Sequence, residues 1–292
     1  MLRVALRADC TLRAGWSEKV VVGSIEAHTQ WDAALAGCDF VIHAAARAHV
    51  LDDAASNASL YLEANAEGTR SLAEAAARMG IRRLVFLSSI KVNGEATTDR
   101  PFHASDAPNP QDAYGMSKWL GEQHLMEIAV RTGMEAAIVR SPLVYGPGVR
   151  ANFLRLLRWV DRGWPLPLGA VGNRRSLVSV WNLCDLIVAL LHSPTATGRT
   201  WLVSDGEALS TPALIRRIAK AMGRTPWLVP VPPTLLKAAG VLARRVGEVE
   251  RLCHSLEVDI GPTLSELGWS PRLTVDDSLA RTVQWYLAHG GV

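Results

Sequence analysis

A tyrosine and a lysine stand four residues apart, at Tyr114 and Lys118, in a segment that predicts the start of a helix. Residues at this spacing lie on one face of a helix. A phenol has a pKa near ~10 and exchanges protons at neutral pH only when its anion is stabilised, which an adjacent ammonium does. Ser89, at the end of a predicted strand, is placed to hydrogen-bond the same substrate oxygen. The three residues predict an acid–base site for oxidising a carbinol or reducing a ketone.

The elements that must position these residues alternate along the chain. Short runs rich in β-branched residues occupy 20–23, 39–46, 83–89, 136–145 and 200–204. Residues 60–79 carry apolar side chains at helical spacing and are followed by Gly80, and residues 114–132 predict a second long helix. Buried strands that alternate with helices are typical of a doubly wound parallel sheet, so the expected fold class is α/β.

The composition excludes several classes of function. Lys and Arg number 31 against 28 Asp and Glu, the formal net charge is +3, and there is no block of five like charges. A nucleic-acid-binding face is therefore not expected, and a small molecule is the expected partner. The four cysteines lie far apart without a CxxC pair, so neither a metal site nor a disulfide framework is expected.

The distribution of apolar residues predicts a cytoplasmic protein. The most apolar stretches are about half the length of a membrane span, so no insertion into a membrane is expected. The N-terminal segment has neither the apolar core nor the small-residue cleavage site of a signal peptide.

The order of small and polar residues around the predicted site is also informative. Residues 43–46 (HAAA) end a strand with small side chains, against which a flat cofactor can lie, and Asn65 lies in the following helix. Residues 88–89 (SS) end the next strand, before the Tyr-x-x-x-Lys pair. This order resembles the extended short-chain dehydrogenase/reductase superfamily, the NAD-dependent nucleotide-sugar epimerases, dehydratases and reductases. The resemblance continues to about residue 282 and includes 140–147 (RSPLVYGP), 175–180, 258–259 and 267–271.

The resemblance implies a role for each of these residues. By the resemblance, the catalytic residues are Ser89, Tyr114 and Lys118. By the same resemblance, the residues that contact the cofactor are Ala44, Ala45, Ala46, Asn65, Tyr114 and Lys118. In this arrangement Lys118 bridges the hydroxyls of the nicotinamide ribose. The implied fold is a Rossmann-type sheet.

Three residues are candidates for binding the substrate. By the resemblance, Asn152 and Arg175 fall where the family holds the nucleoside diphosphate, and arginine pairs well with phosphate. Arg174 stands beside Arg175, so a surface basic pair is an equal alternative. Lys91, in the loop after the strand that ends at Ser89, either contacts the substrate or faces solvent.

Glycines and prolines after residue 145 indicate a change of domain. We expect a dinucleotide-binding domain at 1–145, to which the segment 176–204 returns, and a smaller substrate-binding lobe at 146–292.

The N-terminal segment departs from the family. The family begins with a strand and a Gly-x-x-Gly-x-x-Gly turn whose amides hold the cofactor pyrophosphate, and this turn is absent. Residues 3–6 correspond better to the family's second strand, so we expect the sheet to lack its first strand and first helix. Either the sequence is a truncated gene product or its sheet has closed up. Without the turn, dinucleotide binding is expected to be poor.

One substitution bears on the choice of cofactor. Arg7 replaces the acidic residue that often holds the ribose hydroxyls at the end of the second strand. An arginine there suits a 2′-phosphate, so NAD and NADP are both expected cofactors.

The expected activity is an oxidation or reduction at C4 of a UDP-hexose. The segments 43–50, 88–94 and 204–206 look most like bacterial O-antigen enzymes that reduce a UDP-4-keto-6-deoxy-N-acetylhexosamine, relatives often labelled UDP-glucose 4-epimerase. Leu143 stands where epimerases of the UDP-galactose type usually carry Asn, which favours the 4-reductase over the alternative, a UDP-glucose or UDP-N-acetylglucosamine 4-epimerase.

Two further alternatives stay open at this stage. A non-catalytic nucleotide-binding scaffold fits the missing glycine turn, although the intact Tyr114 and Lys118 argue against it. A steroid- or flavonoid-type ketoreductase fits residues 140–147, but would leave Asn152 and Arg175 without a diphosphate to bind. The sequence also leaves open whether the chain forms a homodimer.

Overall fold

The computed structural model of the chain describes residues 1–11, 13–48, 54–242 and 246–289. These residues form two units. The first contains Met1–Glu95, Ala104–Arg140 and Ile187–Leu202. The second contains Ala96–His103, Ser141–Leu186 and Val203–Val292.

Strands and helices are interspersed along the chain. The strands are β1 (Arg3–Leu6), β2 (Glu18–Val21), β3 (Phe40–His43), β4 (Arg83–Ser89), β5 (Glu135–Ser141), β6 (Leu143–Tyr145), β7 (Arg175–Ser179), β8 (Arg199–Leu202) and β9 (Ala208–Leu209). The helices are α1 (Asp32–Leu35), α2 (Ala54–Tyr61), α3 (Gly68–Arg78), α4 (Ala113–Thr132), α5 (Ala151–Asp161), α6 (Val180–His192), α7 (Thr211–Ala221), α8 (Pro233–Leu242), α9 (Val246–Cys253), α10 (Gly261–Ser265) and α11 (Val275–Ala288).

The strands of the first unit form two sheets. The larger sheet has the order β3-β4-β5-β8, and its pairs β3–β4 and β5–β8 are parallel. The smaller sheet is the parallel pair β1–β2. Parallel strands connected through helices confirm the predicted α/β class with a doubly wound, Rossmann-type arrangement.

The two sheets are not joined by hydrogen bonds between strands. Within the described ranges, β1 pairs with β2 alone and β3 with β4 alone. One consequence is that Ile42 on β3 is 43% exposed. The free edges of β1 and β3 leave backbone N–H and C=O groups without a strand partner.

The core of the first unit packs α3 and α4 against β4 and β5. Its buried members include Leu72, Leu84, Phe86, Leu125 and Ile138. The predicted helix at 60–79 is present but is interrupted by a π-helical segment, Leu62–Glu67, between α2 and α3. A π-turn widens the helix by one residue and is often found at functional sites.

The second unit contains a three-stranded sheet of order β6-β7-β9. β7 pairs with β6 in parallel and with β9 in antiparallel orientation. Its core collects apolar side chains from α5, α7 and α11, including Phe153, Leu157, Ile215 and Leu279. No helix among the described ranges is both long and apolar enough to span a lipid bilayer.

The boundary between the units differs from the one expected from the sequence. The first long segment of the second unit begins at Ser141 rather than at residue 146, because β6 pairs with β7. The segment that returns to the first unit is Ile187–Leu202 rather than 176–204, because α6 is divided between the units and β8 pairs with β5. The short segment Ala96–His103 also belongs to the second unit, through bonds such as Phe102 N–H to the Glu257 carbonyl.

Candidate active site

Ser89, Tyr114 and Lys118 lie together in the first unit. Ser89 is the last residue of β4, and the other two lie in the first two turns of α4. The start of α4 is fixed by Asp112, whose side chain accepts a hydrogen bond of 2.7 Å from the Gly115 N–H. A parallel strand therefore delivers the serine to the edge where a capped helix presents the tyrosine.

A side-chain hydrogen bond joins Ser89 to Tyr114. The Ser89 hydroxyl also accepts a bond of 3.3 Å from the Lys91 N–H, which fixes the turn after β4. Both side chains are partly exposed, so the pair is open to a substrate. The serine and the tyrosine, which the sequence predicts to act on one substrate oxygen, are thus in contact with each other.

Burial raises the pKa of Tyr114 above its ordinary value. The hydrogen bond from Ser89 lowers the pKa, whereas the Asp112 carboxylate and Tyr61 raise it further. The sequence predicted that the Lys118 ammonium would stabilise the phenolate. In the structure Ser89 is the group that lowers the pKa of the phenol, and the lysine Nζ lies on the Phe86 ring.

Lys118 is one of the most buried charged residues of the chain. It is 1% exposed, and its Nζ lies 3.9 Å from the centre of the Phe86 ring. Burial lowers the pKa of Lys118 to about 7, and the Glu122 carboxylate opposes this effect. Within the described part of the chain the ammonium has no hydrogen-bond partner. A buried donor of this kind fits the hydroxyl groups of a ribose.

His43, the last residue of β3, is a packed strand residue. It is 3% exposed and stacks on Phe86 with ring centres 5.2 Å apart. Its Nε2 lies 3.0 Å from the Thr69 Oγ1, and because that hydroxyl donates to the Asn65 carbonyl, Nε2 carries the proton. Burial, together with the nearby charge of Lys118, lowers the pKa of His43 to about 3. His43 is therefore neutral at physiological pH and unsuited to act as a base.

The low pKa of His43 predicts a specific dependence of stability on pH. Between pH 6.5 and about 3 the unfolded chain binds a proton at His43 that the folded chain does not bind. Stability is therefore lost as the pH falls through this window, by about 3 kcal/mol between pH 7 and pH 4. The free energy of unfolding, measured with urea at both pH values, should fall less between pH 7 and pH 4 for His43→Gln than for the unchanged chain. The same slope in both would contradict this origin, and the exposed His28→Gln is the matched control.

Ala44, Ala45 and Ala46 follow β3 and are exposed. Because His43 pairs with Phe86, these alanines lie at the same edge of the sheet as Ser89. Their small side chains leave the backbone accessible to a flat ligand. Arg7 directly follows β1 and is also exposed.

Asn65 lies in the π-helical segment and is 1% exposed. Its Oδ1 accepts a bond of 2.8 Å from the Arg47 N–H, and its Nδ2 donates to the Arg47 carbonyl at 3.0 Å and to the Ser117 Oγ at 2.9 Å. The sequence predicted a direct contact with the cofactor. The amide instead holds the loop after β3 against α4, so Asn65 positions the alanines that precede Arg47.

A glycine permits this close approach of α4 to the π-helical segment. A Cβ added at Gly121 would lie 2.7 Å from the Asn65 carbonyl oxygen and 3.3 Å from both Phe86 and Thr69. Gly121→Ala is expected to cost about 1–3 kcal/mol of stability, measured by denaturant unfolding. Gly247→Ala, in α9 with no atom within 4 Å of the new methyl, is the matched control and should not destabilise the chain. Equal effects of the two substitutions would rule out the packing explanation.

Two carboxylates hold the Lys91 side chain, whereas the sequence predicts that it either contacts the substrate or faces solvent. Its Nζ bonds Glu95 Oε1 at 2.7 Å and Asp112 Oδ2 at 2.5 Å. Burial alone lowers the pKa of Lys91, but the bonds to Asp112 and Glu95 outweigh burial and raise it. Because two carboxylates hold the ammonium, its role in this structure is to tie the turn after β4 to the start of α4.

The two candidates for binding a diphosphate belong to the second unit. Asn152 lies in the first turn of α5 and accepts a bond of 2.5 Å from Arg155. Arg175 begins β7 and donates to the His254 carbonyl at 3.1 Å. Both have protein partners. Neighbouring Ala151 has a φ of 51°, an unusual value for a non-glycine residue, so the backbone at the start of α5 is strained.

The sequence analysis missed several polar residues buried behind the site. Ser88, Asn93, Glu122 and Arg140 are all 5% exposed or less. The available signal was spacing, because Glu122 follows Lys118 by four residues, the same interval that separates Lys118 from Tyr114.

The residues that would hold a nicotinamide cofactor fit in part. The buried Lys118 ammonium fits the ribose hydroxyls, and the exposed alanines fit a flat ring system. The described residues offer no glycine-rich turn for a pyrophosphate at the sheet edge. The fit is therefore to the nicotinamide half of the dinucleotide.

Comparison with known proteins agrees with this geometry. The profile of the NAD dependent epimerase/dehydratase family matches residues 4–204. A UDP-glucose 4-epimerase from Vibrio cholerae is 44% identical over 269 residues, which cover 91% of this chain and 82% of that protein. An N-acetyl-alpha-D-glucosaminyl-diphospho-ditrans,octacis-undecaprenol 4-epimerase from Escherichia coli O157:H7 is 26% identical, covering 94% of this chain and 85% of that protein.

A solved structure shares the fold over almost the whole chain. It is the dTDP-glucose 4,6-dehydratase DesIV from Streptomyces venezuelae, a double mutant with NAD and DAU bound. The TM-score is 0.74 at 25% identity, covering 95% of this chain and 82% of that one. The profile match and the identity to the Vibrio relative confirm the resemblance drawn from the sequence. The chain therefore belongs to the NAD-dependent epimerase/dehydratase family, a family of enzymes whose cofactor is NAD(P).

Proposed function

We propose that this chain is an NAD-dependent UDP-hexose 4-epimerase. The observation that carries the proposal is the hydrogen-bonded pair of Ser89 and Tyr114, with the buried Lys118 one helical turn further along α4 and without a hydrogen-bond partner among the described residues. The reaction type is supported by the 44% identity to a protein named UDP-glucose 4-epimerase. The sequence alone favoured the 4-reductase, and the comparison reverses that preference.

The proposed chemistry begins with a proton transfer at the C4 oxygen of the sugar. Tyr114 takes the proton when the hydroxyl is oxidised and returns it when the ketone is reduced. The Ser89 hydroxyl donates to the tyrosine oxygen and so favours the phenolate that the first half-reaction needs. The bound nicotinamide supplies the chemistry of accepting and returning the hydride. Lys118 would hold the ribose hydroxyls of this cofactor, and Asn65 holds the loop that follows Ala44, Ala45 and Ala46 through the Arg47 backbone.

The epimerase and the reductase differ only after the first half-reaction. An epimerase returns the hydride to the opposite face of the keto sugar, whereas a reductase releases its product and exchanges its cofactor. Leu143, 37% exposed on β6, favours the reductase, since epimerases of the UDP-galactose type usually have Asn there. Exposed Arg7 would suit NADP, which a reductase that exchanges its cofactor could use.

In the second unit, Arg175 and Asn152 are proposed to bind the diphosphate of the UDP-sugar, after exchange of their present protein partners. A C4-inverted sugar nucleotide of this kind would serve the synthesis of a surface polysaccharide.

The test distinguishes the two reactions by whether NADH or NADPH is consumed. The full chain is incubated with UDP-glucose or UDP-N-acetylglucosamine and NAD, and the products are identified by NMR. In a parallel arm it receives a UDP-4-keto-6-deoxy-N-acetylhexosamine with NADH or NADPH. Interconversion of the C4 epimers without net change in NADH absorbance supports the epimerase. Stoichiometric consumption of NADH or NADPH in the second arm, with no interconversion in the first, would replace it by the reductase.

A further inference from the structure

A buried ionic cluster lies directly behind the proposed catalytic residues. Glu122 is 2% exposed and Arg140 is 5% exposed. The arginine Nη2 donates to Glu122 Oε2 at 2.6 Å, and its Nε donates to Oε1 at 3.0 Å. The Ser88 hydroxyl donates to Glu122 Oε1 at 2.5 Å, and Arg140 Nη1 donates to Asn93 Oδ1 at 3.0 Å. The carboxylate thus accepts bonds from two different elements.

The cluster connects β4 and α4, the two elements that carry Ser89, Tyr114 and Lys118, to β5. Glu122 is on α4 with Tyr114, and Ser88 precedes Ser89 on β4. Arg140 is on β5. Charges buried in protein need partners and well-formed hydrogen bonds, and removing one partner leaves the other uncompensated. Glu122 therefore holds β5 against α4 through Arg140, and the end of β4 against α4 through the Ser88 hydroxyl.

The cluster also determines which charges surround Lys118. From β3 it is faced by neutral His43, and from β4 by the Phe86 ring. From its own helix it has Tyr114 one turn before and Glu122 one turn after. Arg140, from β5, is already paired with Glu122. Glu122 is thus the anion next to a lysine that burial otherwise drives towards its neutral form.

We propose that Glu122 is a positioning residue for the reaction: through Ser88 and Arg140 it holds β4 and β5 against α4, and it places a carboxylate one helical turn from the Lys118 ammonium. This rests on the proposed function in one respect, that a protonated Lys118 is needed to hold the ribose. The effect of Glu122 on the lysine is independent of any substrate. The two parts can therefore be tested separately.

The charge effect is measured on the full chain without cofactor or substrate. The chain is labelled with ¹³C-lysine, and the pH titration of each Cε signal is followed by NMR; the lysines are Lys19, Lys91, Lys118, Lys220 and Lys237. The Lys118 signal is assigned as the one lost in Lys118→Met. In Glu122→Gln the pKa of Lys118 should fall by about one unit or more. Glu127→Gln, on the exposed side of the same helix, is the matched control and should leave it unchanged.

The consequence for catalysis is a shift in the pH profile. Activity should fall as Lys118 loses its proton, so in Glu122→Gln the alkaline limb of kcat should move to lower pH by the same amount as the NMR titration. Glu122→Asp keeps the negative charge, so the alkaline limb of its kcat profile should lie close to that of the unchanged chain. Ser88→Ala removes a hydroxyl but no charge, so it should lower kcat at every pH without moving either titration. A purely structural role of Glu122 would lower activity equally across the pH range.

A second variant covers the case in which Glu122→Gln does not fold. The double substitution Glu122→Gln with Arg140→Gln removes both charges and leaves an amide pair that can still form hydrogen bonds. The Lys118 pKa should again fall, but by less, because the positive charge is removed as well. A folded variant of either kind with an unchanged Lys118 titration overturns the proposal. Full turnover by Tyr114→Phe would overturn the proposed function while leaving the lysine result interpretable.

Discussion

Tyr114→Phe is expected to lower kcat by two to four orders of magnitude, roughly 3 to 5 kcal/mol of transition-state stabilisation. The substitution removes one hydroxyl, the group that Ser89 already bonds in the structure. Phenylalanine keeps the ring contact with Tyr61, whose centre lies 6.1 Å away, so the fold should be retained. The measurement is initial-rate kinetics with the UDP-sugar, together with thermal unfolding to verify the fold.

A matched substitution controls for the loss of a tyrosine hydroxyl. Tyr286 lies on α11 in the second unit, and its hydroxyl donates to Asp161 at 3.2 Å. Tyr286→Phe removes the same atom outside the proposed site and should leave kcat nearly unchanged. If Tyr114→Phe kept more than about a tenth of the activity, another group would have to move the proton.

The elements of the site could be predicted from the sequence because local patterns define them. The predicted strand 83–89 coincides with β4, and the predicted helix 114–132 begins one residue after α4 does. A continuous apolar run specifies the first, and the Asp112 cap and Gly133, with a φ of 77°, delimit the second. Spacing along α4 was then enough to bring Tyr114 and Lys118 to one region of the helix.

The partners of the polar residues could not be predicted, because they come from distant parts of the chain. Asn65 forms hydrogen bonds with the backbone of Arg47 from a π-helical segment that the spacing of the apolar residues does not predict. Lys91 is bound by Asp112, 21 residues further along. A sequence pattern identifies which side chains can carry charge or donate bonds. Which of them are already satisfied by the protein is decided only when the elements pack.

The same limit explains the different outcome for Lys118. Four-residue spacing predicts that its ammonium can approach the phenol of Tyr114. The structure turns the lysine inward, onto the Phe86 ring and towards Glu122, and leaves Ser89 as the group that lowers the pKa of the tyrosine. The spacing of two residues predicts that they share one face of the helix. How deeply each side chain is buried depends on the strand against which the helix packs.

The prediction with the largest expected effect on binding concerns the free edges of β1 and β3. A strand, a Gly-x-x-Gly-x-x-Gly turn and a helix, roughly 25 to 30 residues joined before Met1, should raise the affinity for NAD(H) by several orders of magnitude. The added strand can pair with both edges, which have no strand partner on that side within the described ranges. The turn supplies backbone amides and the positive end of a helix to the pyrophosphate.

Isothermal titration of the two forms with NADH measures this effect. Several charge-assisted hydrogen bonds at ~1.5 to 3 kcal/mol each separate the two affinities, because Lys118 and the exposed alanines hold only the nicotinamide half. A third form, with the same strand and helix but valines in place of the turn glycines, should complete the sheet without the gain in affinity. Micromolar binding of NADH by the 292-residue chain alone would show that its own loops hold the pyrophosphate. In that case the open edge beside β3 would have no part in cofactor binding.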